Sequence, residues 1–543
     1  MTKENPYIFL NSFLVKKEFS KQKFNEFIID DKLVDAHSIN KEHTIDGQFF
    51  IKKPTTKKPK WAEHAEKLIG KDLDELLNKS SSAVFILKVD DNIFAFTFGY
   101  GRFLLNHKYF VSDFGIKTAL NTLRHDSLRS VDLYTISDQP LQRKAQSVQE
   151  SDMSVFGIDV SKDALRAVTG SAKNGIPFRN ISGGDSTYSF STNELIENLP
   201  NTAKELVKFY NSEDYKTNFE WVDNIKRLKD IEKINELDKN IVKLIKNKNH
   251  EKIIITIPEI IPWDNIFGFS FTRSKKDIKP TISSEQYFKD IIPEKISIEK
   301  LKNDRLFIYD INNIESNYSI YKCLYTEVKE ADNTYIFFSG EWYSIDNNFM
   351  TTIDNILSNI EISDLNFPKV ETWEEIKDKV KKNKIESEDS YNKKASKEHG
   401  YFLLDKKLVK SNKTTSAIEL CDLLTKDGKF IHVKHRKGGS AGLSHLFAQG
   451  SVSAEMLLGD RQFRVASRKV LKKVNENLPK LIPLDGLKSS SIEIVYLILG
   501  EDSSTLVKNL PFFSKVNLSK AYESLSQRGF NVSIAGAEKI ARV

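Results

Sequence analysis

Ala417-Ile418-Glu419-Leu420-Cys421-Asp422-Leu423-Leu424 runs through a turn, Thr425-Lys426-Asp427-Gly428, into Lys429-Phe430-Ile431-His432-Val433-Lys434-His435. An Asp-Gly pair between two apolar runs is a strong short-range hairpin signal, so the two segments are expected to lie antiparallel and adjacent. That pairing brings Asp422 close to Lys434, twelve residues further on. The two-residue period of a strand puts His432 and Lys434 on one face and Ile431 and Val433 on the other.

A strand-borne lysine near an aspartate is by itself usually a solvent-exposed sheet pair. The order of the surrounding elements gives this pair a chemical reading. Phosphodiester hydrolysis needs carboxylates to hold a divalent cation against a phosphate oxygen, and a positive group to position water and offset developing charge. Asp422 with Glu419 could supply the first and Lys434 the second.

Here the sequence resembles the PD-(D/E)XK restriction-endonuclease-like nucleases, whose pattern is an acid on one strand, a turn, and (D/E)-X-K on the next. Asp422 matches the first acid and Lys434 the lysine. His432 stands where that class usually has Asp or Glu, a position at which substitution and migration of the acid are known, and Glu419 could compensate. The resemblance implies an αβββαβ core over residues 376–543. It also implies a helix after the hairpin, often with a glutamine near its start, which Gly442 to Gly450 fits through Gln449 and His445. An acid on the helix before the first strand is common in the class, and Glu388 is the candidate, as a further metal ligand beside Asp422 and Glu419. The cofactor implied is Mg²⁺ or Mn²⁺, and the favoured substrate is DNA over RNA. Beyond this domain, Leu165 to Gly170 and Leu510 to Leu518 resemble a sporadically distributed, largely uncharacterised bacterial family often found beside restriction-modification or phage-defence genes.

The loop His435-Arg436-Lys437-Gly438-Gly439-Ser440 adjoins the hairpin, and its basic and small residues suit phosphate contact, with His445 on the next helix. A solvated connection is an equally natural reading of it. Arg461, Arg464, Arg468, Lys472 and Lys473 carry positive charge along the following helix. Across the whole chain Lys+Arg exceed Asp+Glu by 82 to 75, a formal charge of +7 that only mildly favours a polyanionic partner over so long a sequence.

At 543 residues the chain exceeds what one hydrophobic core supports. Its 39% hydrophobic and 29% charged residues fit a globular α/β protein with mixed sheets, and exclude a disordered or fibrous one. Four regions are expected: an α/β domain over 1–150, a helix-rich stretch over 151–270, a β-containing unit over 271–372, and the domain over 376–543. Within the first, Ala83 to Val89 and Ile93 to Phe98 flank Asp90-Asp91-Asn92 as a hairpin, and a helix is expected over Phe114 to His125. The polar stretch from Trp373 to Gly400 reads as a solvated helix or linker.

Two cysteines without a CxxC pattern indicate neither a disulfide framework nor a structural zinc. No window has the length of a membrane span and no export signal is evident, so a cytoplasmic protein is expected. Gly99-Tyr100-Gly101-Arg102 lacks dinucleotide-loop spacing and reads as a turn, and no phosphate-binding P-loop is present. The leading expectation is a metal-dependent nuclease in bacterial anti-phage defence, its N-terminal portion recognising a substrate, a defence-system partner protein or a signal, with homo-oligomerisation left open. The alternative is a non-catalytic nucleic-acid-binding or scaffold protein built on a degenerate nuclease fold.

Overall fold

The computed structural model describes residues 7–29, 33–54, 56–136, 141–247, 252–258, 261, 266–274, 277–289, 291–310, 315–377, 380–410, 417–436 and 441–542. It is an α/β protein of several mixed and antiparallel sheets. The chain divides into two compact units, the first made of Met1–Thr135 and Gln142–Val222, the second of Ile136–Leu141 and Asp223–Val543. The expected boundary at residue 150 therefore falls inside the first unit. Strands Asp163–Ala172, Arg179–Gly183 and Tyr188–Thr192, assigned from sequence to a helix-rich region, continue the N-terminal sheet. Local pattern could not reveal this, because Ile8–Leu14 finds its partner Tyr188–Thr192 only after most of the unit has intervened.

The ten-stranded sheet of the first unit is packed on both faces. The hairpin Ser82–Val89 and Asn92–Gly99 shows why: Phe85 and Leu87 point to the core that includes helices Phe114–Thr122 and Leu199–Asn211, while Val84 and Ile86 point to the opposite core. Asp90 takes a positive φ of 52° at the hairpin's tip, a conformation Asp tolerates better than most residues. The helix expected to reach His125 stops at Thr122, and Leu123 opens a thirteen-residue strand. Gly101 sits where an added Cβ would lie 2.0 Å from the Ala83 carbonyl oxygen, so the glycine there serves backbone packing.

In the second unit, a six-stranded sheet is ordered Glu361–Ile362, Asn531–Ala537, Glu493–Leu499, Lys429–His435, Leu423–Leu424 and Phe402–Leu403, so the domain expected over 376–543 takes its edge strand from before residue 376. Leu423–Leu424 runs antiparallel to both its neighbours, and the remaining three contacts are parallel. Parallel pairing of Lys429–His435 with Glu493–Leu499 requires a crossover, and helices Ala441–Gly459 and Arg461–Val474 lie in the intervening chain. Ile431 and Val433 pack with Tyr391 and Ala395 of helix Glu388–His399 on one face, and His432 meets Ser453 of helix Ala441–Gly459 on the other. Covered on both sides, strand Glu493–Leu499 reads from Ile494 onward as the uninterrupted apolar run IVYLIL.

Two local expectations change. Trp373 to Gly400 is neither linker nor all helix: Val370–Lys377 and Val380–Ile385 form a hairpin before helix Glu388–His399. The first of these strands pairs in parallel with Lys539–Ala541 near the other end of the domain, a long-range partner invisible to local composition. The run Ala417 to Leu424 is likewise not one strand, since Ile418–Glu419 pairs with Leu408–Val409 while Leu423–Leu424 joins the main sheet.

Candidate metal centre

The Asp-Gly turn forms as its residues require. Gly428 adopts φ 91°, the Lys429 amide donates to the Thr425 hydroxyl at 2.9 Å, and the strands close with Leu424 opposite Phe430 and Leu423 opposite Ile431. Asp422 lies just before this pairing. Its amide donates to the Ile431 carbonyl at 3.0 Å, and its carboxylate accepts the Val433 amide at 2.8 Å. The Asp422 carbonyl accepts the amides of Leu404 and Asp405, at 2.8 and 3.0 Å, which ties the Leu404–Lys407 turn to the hairpin. In that turn Lys406 has φ 62° and its amide donates to the Glu419 carboxylate. One hydrogen-bonded knot therefore gathers Asp405, Glu419 and Asp422, with a carboxylate oxygen from each within 4.8 Å of the others.

Two helices supply the rest. Glu388 opens helix Glu388–His399 behind Ser387, whose side chain accepts the Ser390 amide as the cap. One Glu388 oxygen accepts from Lys434 Nζ at 2.9 Å and the other from the His435 amide at 3.0 Å. Gln449, on helix Ala441–Gly459, donates its side-chain amide to Glu419 at 3.4 Å.

The electrostatics follow from crowding acids in a half-dry site. Burial, opposed by the Val433 hydrogen bond, and then the negative charges of Glu419, Asp405 and Glu388 push Asp422 up to about 7. Glu419 is raised too, first by burial, with the Lys406 amide and the charges of Lys434 and His445 working the other way. Burial also acts to raise Glu388, but the His435 amide and the Lys434 ammonium outweigh it and hold the carboxyl below its ordinary value. Three oxygen-donor carboxylates that repel one another, two of them driven toward the neutral form, suit a hard divalent cation such as Mg²⁺ or Mn²⁺.

The structure brings Asp422, Glu419, Lys434, Gln449 and Glu388 into one site, and adds Asp405, which the sequence reading missed. Glu388 is not part of the three-acid cluster; its two oxygens accept from Lys434 and from the His435 amide. Several expectations are corrected. His432 is 1% exposed, with Nε2 3.5 Å from the Ser453 hydroxyl and its ring beside Tyr496, and burial lowers its pKa to about 3. It is a neutral core histidine, not a stand-in for the missing acid. His435 is buried with Nε2 2.6 Å from the Glu386 carbonyl, so it cannot face a nucleic acid. Arg436 pairs with Glu501 and donates to the Asn509 carbonyl, which holds it against its own domain. His445 is exposed, as a contact residue must be. Lys437 lies outside the described residues, together with Gly438, Gly439 and Ser440. On the next helix, Arg464 donates to the carbonyls of Leu457 and Leu484, and Arg468 to that of Ile482, so neither guanidinium contributes to an external basic face. Lys472 and Lys473 remain exposed there.

Among the described residues, no helix is long and apolar enough to cross a membrane. No curated protein and no solved structure matches the chain. From residue 10 to residue 538 it matches the model of a family of unknown function, DUF6119, and the protein belongs to that family.

Proposed function

We propose that the second unit is a metal-dependent nuclease that hydrolyses phosphodiester bonds, with DNA the favoured substrate and anti-phage defence the setting. The observation that carries the reading is the convergence of three carboxylates, Asp405, Glu419 and Asp422, on a site flanked by a strand-borne lysine held by a carboxylate from another element. Support also comes from the order helix Glu388–His399, strands Phe402–Leu403, Leu423–Leu424 and Lys429–His435, helix Ala441–Gly459, strand Glu493–Leu499. With strands Leu408–Val409 and Ile418–Glu419 and helix Arg461–Val474 interposed, this order is compatible with the αβββαβ core that the resemblance to PD-(D/E)XK nucleases implies. The preference for DNA and the defence setting rest on that resemblance and on the one carried by Leu165 to Gly170 and Leu510 to Leu518.

In this reading Asp405, Glu419 and Asp422 would hold the cation, which when bound would supply the positive charge that polarises a phosphodiester and lowers the pKa of a bound water. The Lys434 ammonium, fixed by Glu388, orients that water and offsets the charge that builds on the phosphate oxygens. Gln449 steadies Glu419. Water's oxygen bonds to phosphorus, the bond to the leaving sugar oxygen breaks, and that oxygen is protonated from solvent. Burial of His432 favours the second reading, a nucleic-acid-binding protein whose fold has lost its second acid, with Asp405 as the group whose presence argues for catalysis.

The test is cleavage of plasmid DNA, linear DNA and single-stranded RNA by wild type and Lys434→Ala, in Mg²⁺, Mn²⁺ or EDTA. Metal-dependent cleavage that the variant loses supports the nuclease and names its substrate. Equal binding of nucleic acid by both proteins without cleavage supports the binding module.

A further inference from the structure

The first unit contains a cavity of about 480 Å³ on the helix-bearing face of its sheet. Its floor is Phe49 and Phe85, which pair across neighbouring strands with rings stacked 4.4 Å apart and 2° from parallel. Ile8, Ile39 and Ile45 wall it, and each is only partly buried against the core beneath. Leu195 and Ile196 form a lip, 49% and 39% exposed. The volume falls in the range of roughly 300 to 1,000 Å³ typical of small-molecule sites, and the lining is apolar with few polar groups, as such sites usually are.

The polar groups are two carboxylates, Glu194 and Glu197, and the imidazole of His43. Among the described residues, the one side chain that donates to Glu194 is Thr202, at 3.4 Å, and Glu197 lies 3.7 Å from His43 Nδ1. Among the described residues, neither carboxylate has a lysine or arginine partner. Two carboxylates against one imidazole leave the rim net negative above an aromatic and aliphatic floor.

We propose that this cavity binds a small organic cation, an ammonium group carried on an aromatic or branched-alkyl body. The body displaces water from the Phe and Ile walls, while the ammonium sits between Glu194 and Glu197 within reach of the Phe49 ring face. An anionic ligand of the same shape meets like charge at the rim, and a polyamine without an apolar body leaves the floor wet. The site thus gives the first unit a recognition role independent of the chemistry of the second.

The experiment uses the full chain with ¹³C-labelled isoleucine δ1 methyls, titrated with 4-phenylbutylammonium and, separately, with 4-phenylbutyrate and spermidine. The ammonium probe is expected to give saturable shifts at Ile8, Ile39, Ile45 and Ile196. Glu194→Gln/Glu197→Gln, at the rim of the cavity, is expected to bind about tenfold more weakly or worse, with an unchanged melting temperature. Leu195→Lys, at an exposed position, is expected to abolish the shifts. Equal binding of 4-phenylbutyrate, or no saturation by the ammonium probe to its solubility limit, overturns the proposal. So do shifts of these methyls with protein concentration alone, which would make the face a contact between copies.

Discussion

Acidification should expose the role of His432. The ring is buried, its pKa falls to about 3 from an ordinary 6.5, and its neighbours are the Ser453 hydroxyl and Tyr496. The folded protein thus resists the proton that the unfolded chain accepts. The neutral ring's contribution to stability is whole above pH 6.5 and is lost progressively as pH falls toward 3. Each unit in that window costs about 1.4 kcal/mol, so the loss is roughly 2 kcal/mol by about pH 5. Carboxylates also titrate in this range, and comparison with His432→Leu cancels them. Relative to wild type, the variant should gain roughly 2 kcal/mol between pH 6.5 and about pH 5. Hydrogen exchange of strand Glu493–Leu499 in mild denaturant measures this for the second unit alone. A wild-type–variant difference that stays constant with pH would mean that the folded ring takes up protons freely. His432 would then return as a candidate proton carrier at the site.

Glu388→Gln removes the anion that fixes Lys434 but none of the three clustered carboxylates. On the proposed nuclease reading, cleavage turnover should fall roughly 10- to 100-fold while Mn²⁺ affinity is unchanged, as steady-state cleavage and calorimetric titration would show. Asp405→Asn should do the reverse first, weakening metal affinity by about tenfold or more, on the order of 1.4 kcal/mol, before any effect at saturating metal. At Gly450, an added Cβ would lie 2.5 Å from Cε1 of Tyr496, a fully buried ring whose hydroxyl donates to the Phe447 carbonyl. Gly450→Ala should cost about 1–3 kcal/mol by overpacking, despite alanine's better helix propensity, and urea unfolding would measure it.

The hairpin was legible because its information is local. Asp427-Gly428 sets the turn, β-rich runs flank it, and Asp422 and Lys434 follow from the register. Gln449's place on the helix after the hairpin needed only the order of elements. Asp405 was not legible, because it lies in a turn between two short strands and reaches the site through amides donating to the Asp422 carbonyl. A signal was present in hindsight: the apolar pattern of Tyr401 to Val409 breaks at Asp405-Lys406-Lys407, which is where a turn must intervene. His432 misled for the opposite reason. Alternation gave its face correctly, but not that helix Ala441–Gly459 closes over that face and leaves the ring dry. The basic loop and helix misled because a count of arginines does not say where their donors go, and Arg436, Arg464 and Arg468 spend theirs on carbonyls and a carboxylate of their own domain. The unit boundary escaped because strand partners distant in sequence leave no mark on local composition.

The central claim is that Asp405, Glu419 and Asp422 together hold one divalent cation. Titrating the purified chain with Mn²⁺ and following the free ion by electron paramagnetic resonance tests it most directly. The account predicts one saturable site, competed by Mg²⁺, retained in Lys434→Ala and lost in Asp422→Asn. Saturable binding that survives Asp422→Asn, or no saturable binding in the wild type, would contradict it.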